Sequence, residues 1–179
     1  MSTRKIFDSV SQNKIYFCIV VAFSFVVGLA MNLVGSGLSN MENSMVPDVR
    51  FGFTRDDLHS LYESWGVVGR SIYLRINFLD FIFIICYTLL LGSLSVITAR
   101  MSRSSLDFAP IAIVTAICDL IETLILRKAV YVFPSLISSN IAFIGSLAQQ
   151  MKWVCLCINI LLIVLFGFRS IIKNKSKLN

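Results

Sequence analysis

Asp119 and Glu122 stand three residues apart inside an apolar run, Ala109 to Leu126, APIAIVTAICDLIETLIL. On a helix that spacing puts both carboxyls on one face, a turn apart. One protonated and one ionised carboxyl so placed can work as general acid and base. The same pair can instead hold a cation. A carboxylate in hydrocarbon costs about 2.5 to 3.5 kcal/mol on insertion scales, so two in one span require partners, water or protonation. Asp80 and Lys152, each near one end of another apolar run, are the groups the rest of the chain offers.

Other catalytic patterns are missing. The sequence holds no HExxH, no Gly-rich phosphate loop and no Ser/His/Asp set of familiar spacing, and its one histidine is His59. Cys18, Cys86, Cys118, Cys155 and Cys157 all fall in apolar runs, where cysteine behaves as a small hydrophobe. Cys155 and Cys157, two apart, point about 200° from each other on a helix and cannot share a metal ion. The sequence therefore predicts no metal site and no cofactor, and it assigns no catalytic residue.

The chain is 56% hydrophobic with a mean hydropathy of +0.80 over 179 residues, well above the apolar share of a soluble domain. These values predict a membrane protein. Its formal charge of +6 sits at span ends and in the tails rather than in one patch, which argues for topology signals and against nucleic acid.

Four spans of roughly 20 residues fit this length, since 1.5 Å of rise per residue must cross about 30 Å of hydrocarbon. A polar tail, residues 1–14, precedes a first span at about 15–34. That run is longer than the roughly 7 to 15 residues of a signal-peptide core, so it reads as retained. A polar segment, 38–75, contains MVPDVRFGFT, a turn before a short helix. There Thr54 is a candidate N-cap with Asp57 in the reciprocal capping position. Leu58, Leu61, Tyr62 and Trp65 then form an apolar stripe that ends at Gly66. This helix is expected either on the membrane surface or over the bundle mouth, with Tyr62 and Trp65 at interface depth. The second span is about 76–97, the third 109–126, entered through Pro110, and the fourth about 147–168. Residues 135–146 read either as the start of that last helix or as loop.

Nine of the sixteen Lys and Arg residues lie in the N-tail, in the loop holding Arg100 and Arg103, and in the C-tail. The seven on the opposite side are offset by Glu42, Asp48, Asp56, Asp57 and Glu63, so both termini are expected in the cytoplasm. Asp80 and Glu122 then lie about 7 to 8 Å inside the far interface, with Asp119 a turn deeper. Lys152 and Asn32 end on the same side, and the cytoplasmic half reads as almost purely apolar.

Tyr73, Asn77, Asp80, Ile84 and Tyr87 make one stripe on the second span. Thr115, Asp119, Glu122 and Thr123 make one on the third, and Lys152, Cys155 and Asn159 one on the fourth. Facing inward they would form a polar chamber with three carboxylates against one lysine, Arg75 or Arg127 being further cations. Either a carboxyl there carries a proton or a cation or polar ligand completes the set. Three readings stand side by side: structural glue between helices, a pocket for a lipid, sterol or other amphiphile, and an ion or proton path. His59 reads as a solvated loop residue, and Trp65 and Trp153 as interface anchors.

Four stretches, PDVRFGFT (Pro47 to Thr54), YLRINFLDFIF (Tyr73 to Phe83), CDLIET (Cys118 to Thr123) and MKW (Met151 to Trp153), resemble a widespread group of small, functionally uncharacterised four-span membrane proteins. The pattern in that group is a P-D-x-R-F-G loop, an aspartate opening the second span, a D-L-x-E pair in the third and a lysine-tryptophan in the fourth. Thr123 departs from it by standing where asparagine is expected. The resemblance implies a fold and no activity. In architecture alone the chain is also similar to the sterol-isomerase and sigma-2-receptor superfamily, compact four-span bundles with carboxylates around an amphiphile pocket.

The sequence thus predicts one all-α domain over 1–179, a four-helix integral membrane bundle with a short amphipathic helix in the first extramembrane loop. The expected ligand-binding residues are Tyr73, Asn77, Asp80, Tyr87, Asp119, Glu122 and Lys152. The expected partners are membrane lipids, a hydrophobic small molecule or another membrane protein. A subunit or assembly-factor role, and lipid modification by the paired carboxyls, are the alternatives to simple binding.

Overall fold

The computed structural model describes residues 3–39, 41 and 46–175, and every regular element among them is helical. Glu42 and Lys177, counted in the charge balance above, lie outside them. The elements in order are α1 (Thr3–Gln12), α2 (Lys14–Gly35), 3-10 turns at Ser36–Leu38 and Pro47–Val49, α3 (Arg55–Met101), α4 (Pro110–Val132) and α5 (Ser139–Lys175).

Three segments, Lys14–Leu38, Arg55–Met101 and Ser139–Lys173, are long and apolar enough to cross a membrane. The helix α4 differs because every 18-residue stretch of it contains Asp119, Glu122 and Arg127. Its charges are absorbed inside the protein, since α3, α4 and α5 pack on one another while α2 lies chiefly against α3. The result is a three-helix core with α2 laid alongside. Burial of the most apolar stretch is 39% in α3 and 11% in both α2 and α5, so α3 is the central helix.

The first fourteen residues are not the plain polar tail read from their composition. Thr3–Gln12 is a helix whose Phe7 is buried with Val96 and Ala109. Gly92 makes room for that ring, because a Cβ there would stand 2.4 Å from it. Asp8 and Arg4 tie α1 to Arg100 at 2.8 Å and Asp107 at 3.3 Å. Asn13 then ends α1 and caps α2, its side chain accepting from the Ile15 and Tyr16 amides at 3.0 and 3.3 Å.

The capping box at the start of α3 is present: Thr54 Oγ1 accepts from the Asp57 amide at 3.1 Å and Asp57 Oδ2 from the Thr54 amide at 2.8 Å. Gly66, at φ +58°, breaks α3 into two arms, a backbone conformation that glycine adopts without strain. The first arm packs over the core instead of lying on a surface. Leu58, Leu61, Tyr62 and Trp65 are all buried, and Trp65 sits 5.4 Å from the Tyr73 ring and 5.8 Å from Tyr62. It is a core residue, not an exposed anchor. His59 is on this arm too, its Nε2 3.1 Å from the Pro134 carbonyl oxygen and its ring against Phe133. Residues 135–138 are non-helical and α5 starts at Ser139, so most of the stretch read as either loop or helix is helix. Ser138 opens it, its Oγ accepting from the Ile141 amide at 3.3 Å.

Candidate functional site

Lys152 is the hub of the site. On α5 it projects inward, 9% exposed, and its Nζ lies 2.6 Å from Glu122 Oε2, 3.0 Å from Asp119 Oδ1 and 3.4 Å from the Asp48 carbonyl oxygen. The ammonium thus donates to Asp119 and the Asp48 carbonyl and forms a second ion pair with Glu122. Asp119 and Glu122 both reach it because their i, i+3 spacing puts them on the same side of α4.

The second oxygens of both acids are also held. Tyr87 donates to Asp119 Oδ2 at 2.9 Å, and Gln149 Nε2 donates to Glu122 Oε1 at 3.0 Å. Asp80, facing them from α3, accepts from Thr123 Oγ1 at 2.7 Å. Thr123 therefore supplies a hydrogen bond of its own. Asn77 donates to the Thr123 carbonyl at 3.1 Å, and the Tyr73 hydroxyl donates to Asp48 Oδ2 at 2.8 Å.

The loop before α3 closes this end of the core. Gln149 donates to the Pro47 carbonyl at 2.5 Å and accepts from the Gly52 amide at 2.8 Å, while Ser146 Oγ accepts from the Phe53 amide at 3.0 Å. Gly52 sits at φ +101°, and a Cβ there would come within 2.9 Å of Ser146 Oγ and Gln150 Nε2. Burial pushes the Asp48 carboxyl up from its ordinary value, opposed by the nearby Lys152 ammonium and the Tyr73 hydroxyl.

Beside the cluster is a cleft of about 340 Å³, large enough for a small ligand. Its polar end is formed by Asp48, Asp80, Asp119 and Lys152, and its walls by Met31, Phe83, Leu90, Leu91, Trp153 and Leu156. Of the residues expected at a site, Asp80, Tyr87, Asp119 and Lys152 line the cleft. Glu122, Tyr73 and Asn77 stand behind it as supports.

Asp48, Ser146 and Gln149 were missed as site residues. Asp48 lay within a motif read only for its fold. Gln149 stands one turn before Lys152 on the same helical face, a spacing that could have flagged it. Asn159 shares that face but belongs to another level. It accepts from Ser95 Oγ at 3.3 Å and donates to the Phe108 carbonyl at 3.5 Å, so the far half of the core is not purely apolar.

The arrangement can hold a polar head at one end and a hydrocarbon chain along the other. Comparison of the chain with family models, with curated proteins and with solved structures finds no match.

Proposed function

We propose that this is a multi-pass membrane protein in which α2, α3, α4 and α5 cross the bilayer with both termini cytoplasmic, and that the cleft binds a lipid-like amphiphile. The observation that carries this reading is the cleft itself, with four ionisable groups at one end and apolar side chains along the rest. Helix α4 has 23 residues, about 34 Å of rise, enough for about 30 Å of hydrocarbon. Its acids face partners rather than lipid, which removes the objection to a crossing. The docking of α1 beside Arg100 and Asp107 supports one common side for the basic N-terminus and the loop after α3. The stretches that carry the resemblance to the four-span group meet around Lys152, which supports placing the chain in that group.

Two tests follow from this. In a cysteine-free background, cysteines at Ser105 and Ser60 should label from opposite sides of the membrane, the former from the cytoplasm. Labelling of both from one side would refute the topology. A diazirine-bearing fatty probe should mark Phe83 to Leu91 and Leu156; labels confined to outward residues such as Phe25 and Leu161 would refute the pocket.

A further inference from the structure

We infer that the molecule in this cleft carries a protonated amine, and that Asp80 is the carboxylate that receives it. The inference rests on the amphiphile reading above and adds the chemistry of the head. It comes from following each carboxylate oxygen at the polar end to its partner. Asp119 has both oxygens engaged, by Tyr87 and by Lys152. Glu122 has both engaged as well, by Gln149 and by Lys152. Asp80 has Thr123 on Oδ2, and among the described residues no donor stands on Oδ1 and no Lys or Arg lies within ion-pair distance. Yet Asp80 is 9% exposed and lines the cleft.

Lys152 does not reach it: its ion pairs are with Asp119 and Glu122, and its remaining contact is the Asp48 carbonyl. A carboxylate buried to this degree without a cation is costly, and a ligand that brings both an N–H donor and a positive charge removes that cost. The open Oδ1 of Asp80 marks the polar end as a place completed by a ligand. A hydrocarbon chain on the amine would run along Phe83, Leu90 and Leu156.

The test uses the full chain in nanodiscs of zwitterionic lipid and three probes of equal chain length: dodecylamine, dodecanol and dodecanoate. Dodecylamine should bind about tenfold or more tighter than dodecanol, the difference expected of a charge-assisted hydrogen bond, with dodecanoate weakest. Asp80→Asn should erase the preference for the amine, bringing dodecylamine and dodecanol to comparable affinity. Equal binding of amine and alcohol by the wild type, or an unaltered amine preference in Asp80→Asn, would overturn the inference while leaving the amphiphile site standing. Failure of all three probes to bind would overturn the site itself. Should Asp80→Asn not fold, the three-probe comparison on the wild type decides the matter.

Discussion

The two ends of the core use the same chemistry at different depths. At one end Lys152 meets Asp119 and Glu122 with side chains 9% exposed or less; at the other, Arg100 meets Asp8 with side chains 51% and 28% exposed. Solvent screens the second pair, which leaves it worth about 0 to 1 kcal/mol. The buried set is different: its members are costly apart and tolerable only together, so removing one is expected to cost about 3 to 5 kcal/mol. A cluster of that kind cannot be improvised around a ligand. It has to be assembled by the fold, and the fold supplies it from α3, α4, α5 and the loop before α3.

The contrast breaks most visibly at Lys152. Lys152→Met should leave Asp119 and Glu122 without their cation and lower stability by about 3 kcal/mol or more, read as thermal unfolding in detergent. Adding Asp119→Asn and Glu122→Gln to that variant should recover most of the loss. A Lys152→Met protein as stable as wild type would mean that the ion pairs are incidental.

Next in size is the loop closure. Gln149→Leu removes the donor to Pro47 and Glu122 and the acceptor for Gly52, and should cost about 1 to 3 kcal/mol. It should also speed proteolysis within residues 46–54, whereas Gln150→Leu should do neither.

The α1 end should respond locally. Phe7→Ala should free α1 for protease cleavage with little change in the unfolding of the rest, since Phe7 belongs to a small cluster separate from the main core. Arg100→Ala should change stability by no more than about 1 kcal/mol, and less in high salt.

The smallest effect is expected at the α3 capping box, where Thr54→Ala should cost about 1 kcal/mol. The Thr54 hydroxyl and amide hold Asp57 below the ordinary carboxylate value of 3.8, so its folded-state affinity for a proton is reduced. Its contribution is therefore present above that value and lost as pH falls through the lowered one. An acid titration of unfolding should show this loss in full in the wild type and reduced in Thr54→Ala, where the backbone amide of residue 54 still donates to Asp57.

The features legible in the sequence are those made by neighbours in the chain. The Thr54/Asp57 box, the stop at Gly66 and the pairing of Asp119 with Glu122 all lie within four residues or one helical face. The stripes that bring Lys152 to both acids could be read from their spacing, while Arg75 and Arg127 stayed open as further cations. The closure of the 47–53 loop was not legible, for Gln149 and Pro47 are 102 residues apart and a glutamine carries no sign of its partner. Helix α1 was hidden by its short length and polar composition, which leave Phe7 as the one deeply buried side chain among its described residues. Asn159 shares the helical face of Lys152 but stands about 10 Å further along the axis, a separation that a stripe of spacings does not display.

The most direct test of the amphiphile site is native mass spectrometry of the protein extracted in mild detergent, wild type beside Leu156→Trp. The added ring fills the apolar wall of the cleft and leaves the Lys152 cluster untouched. A discrete lipid-like mass retained by the wild type and missing from the folded variant is the result this account predicts. The same adduct on both proteins, or a bare wild-type mass, would contradict it.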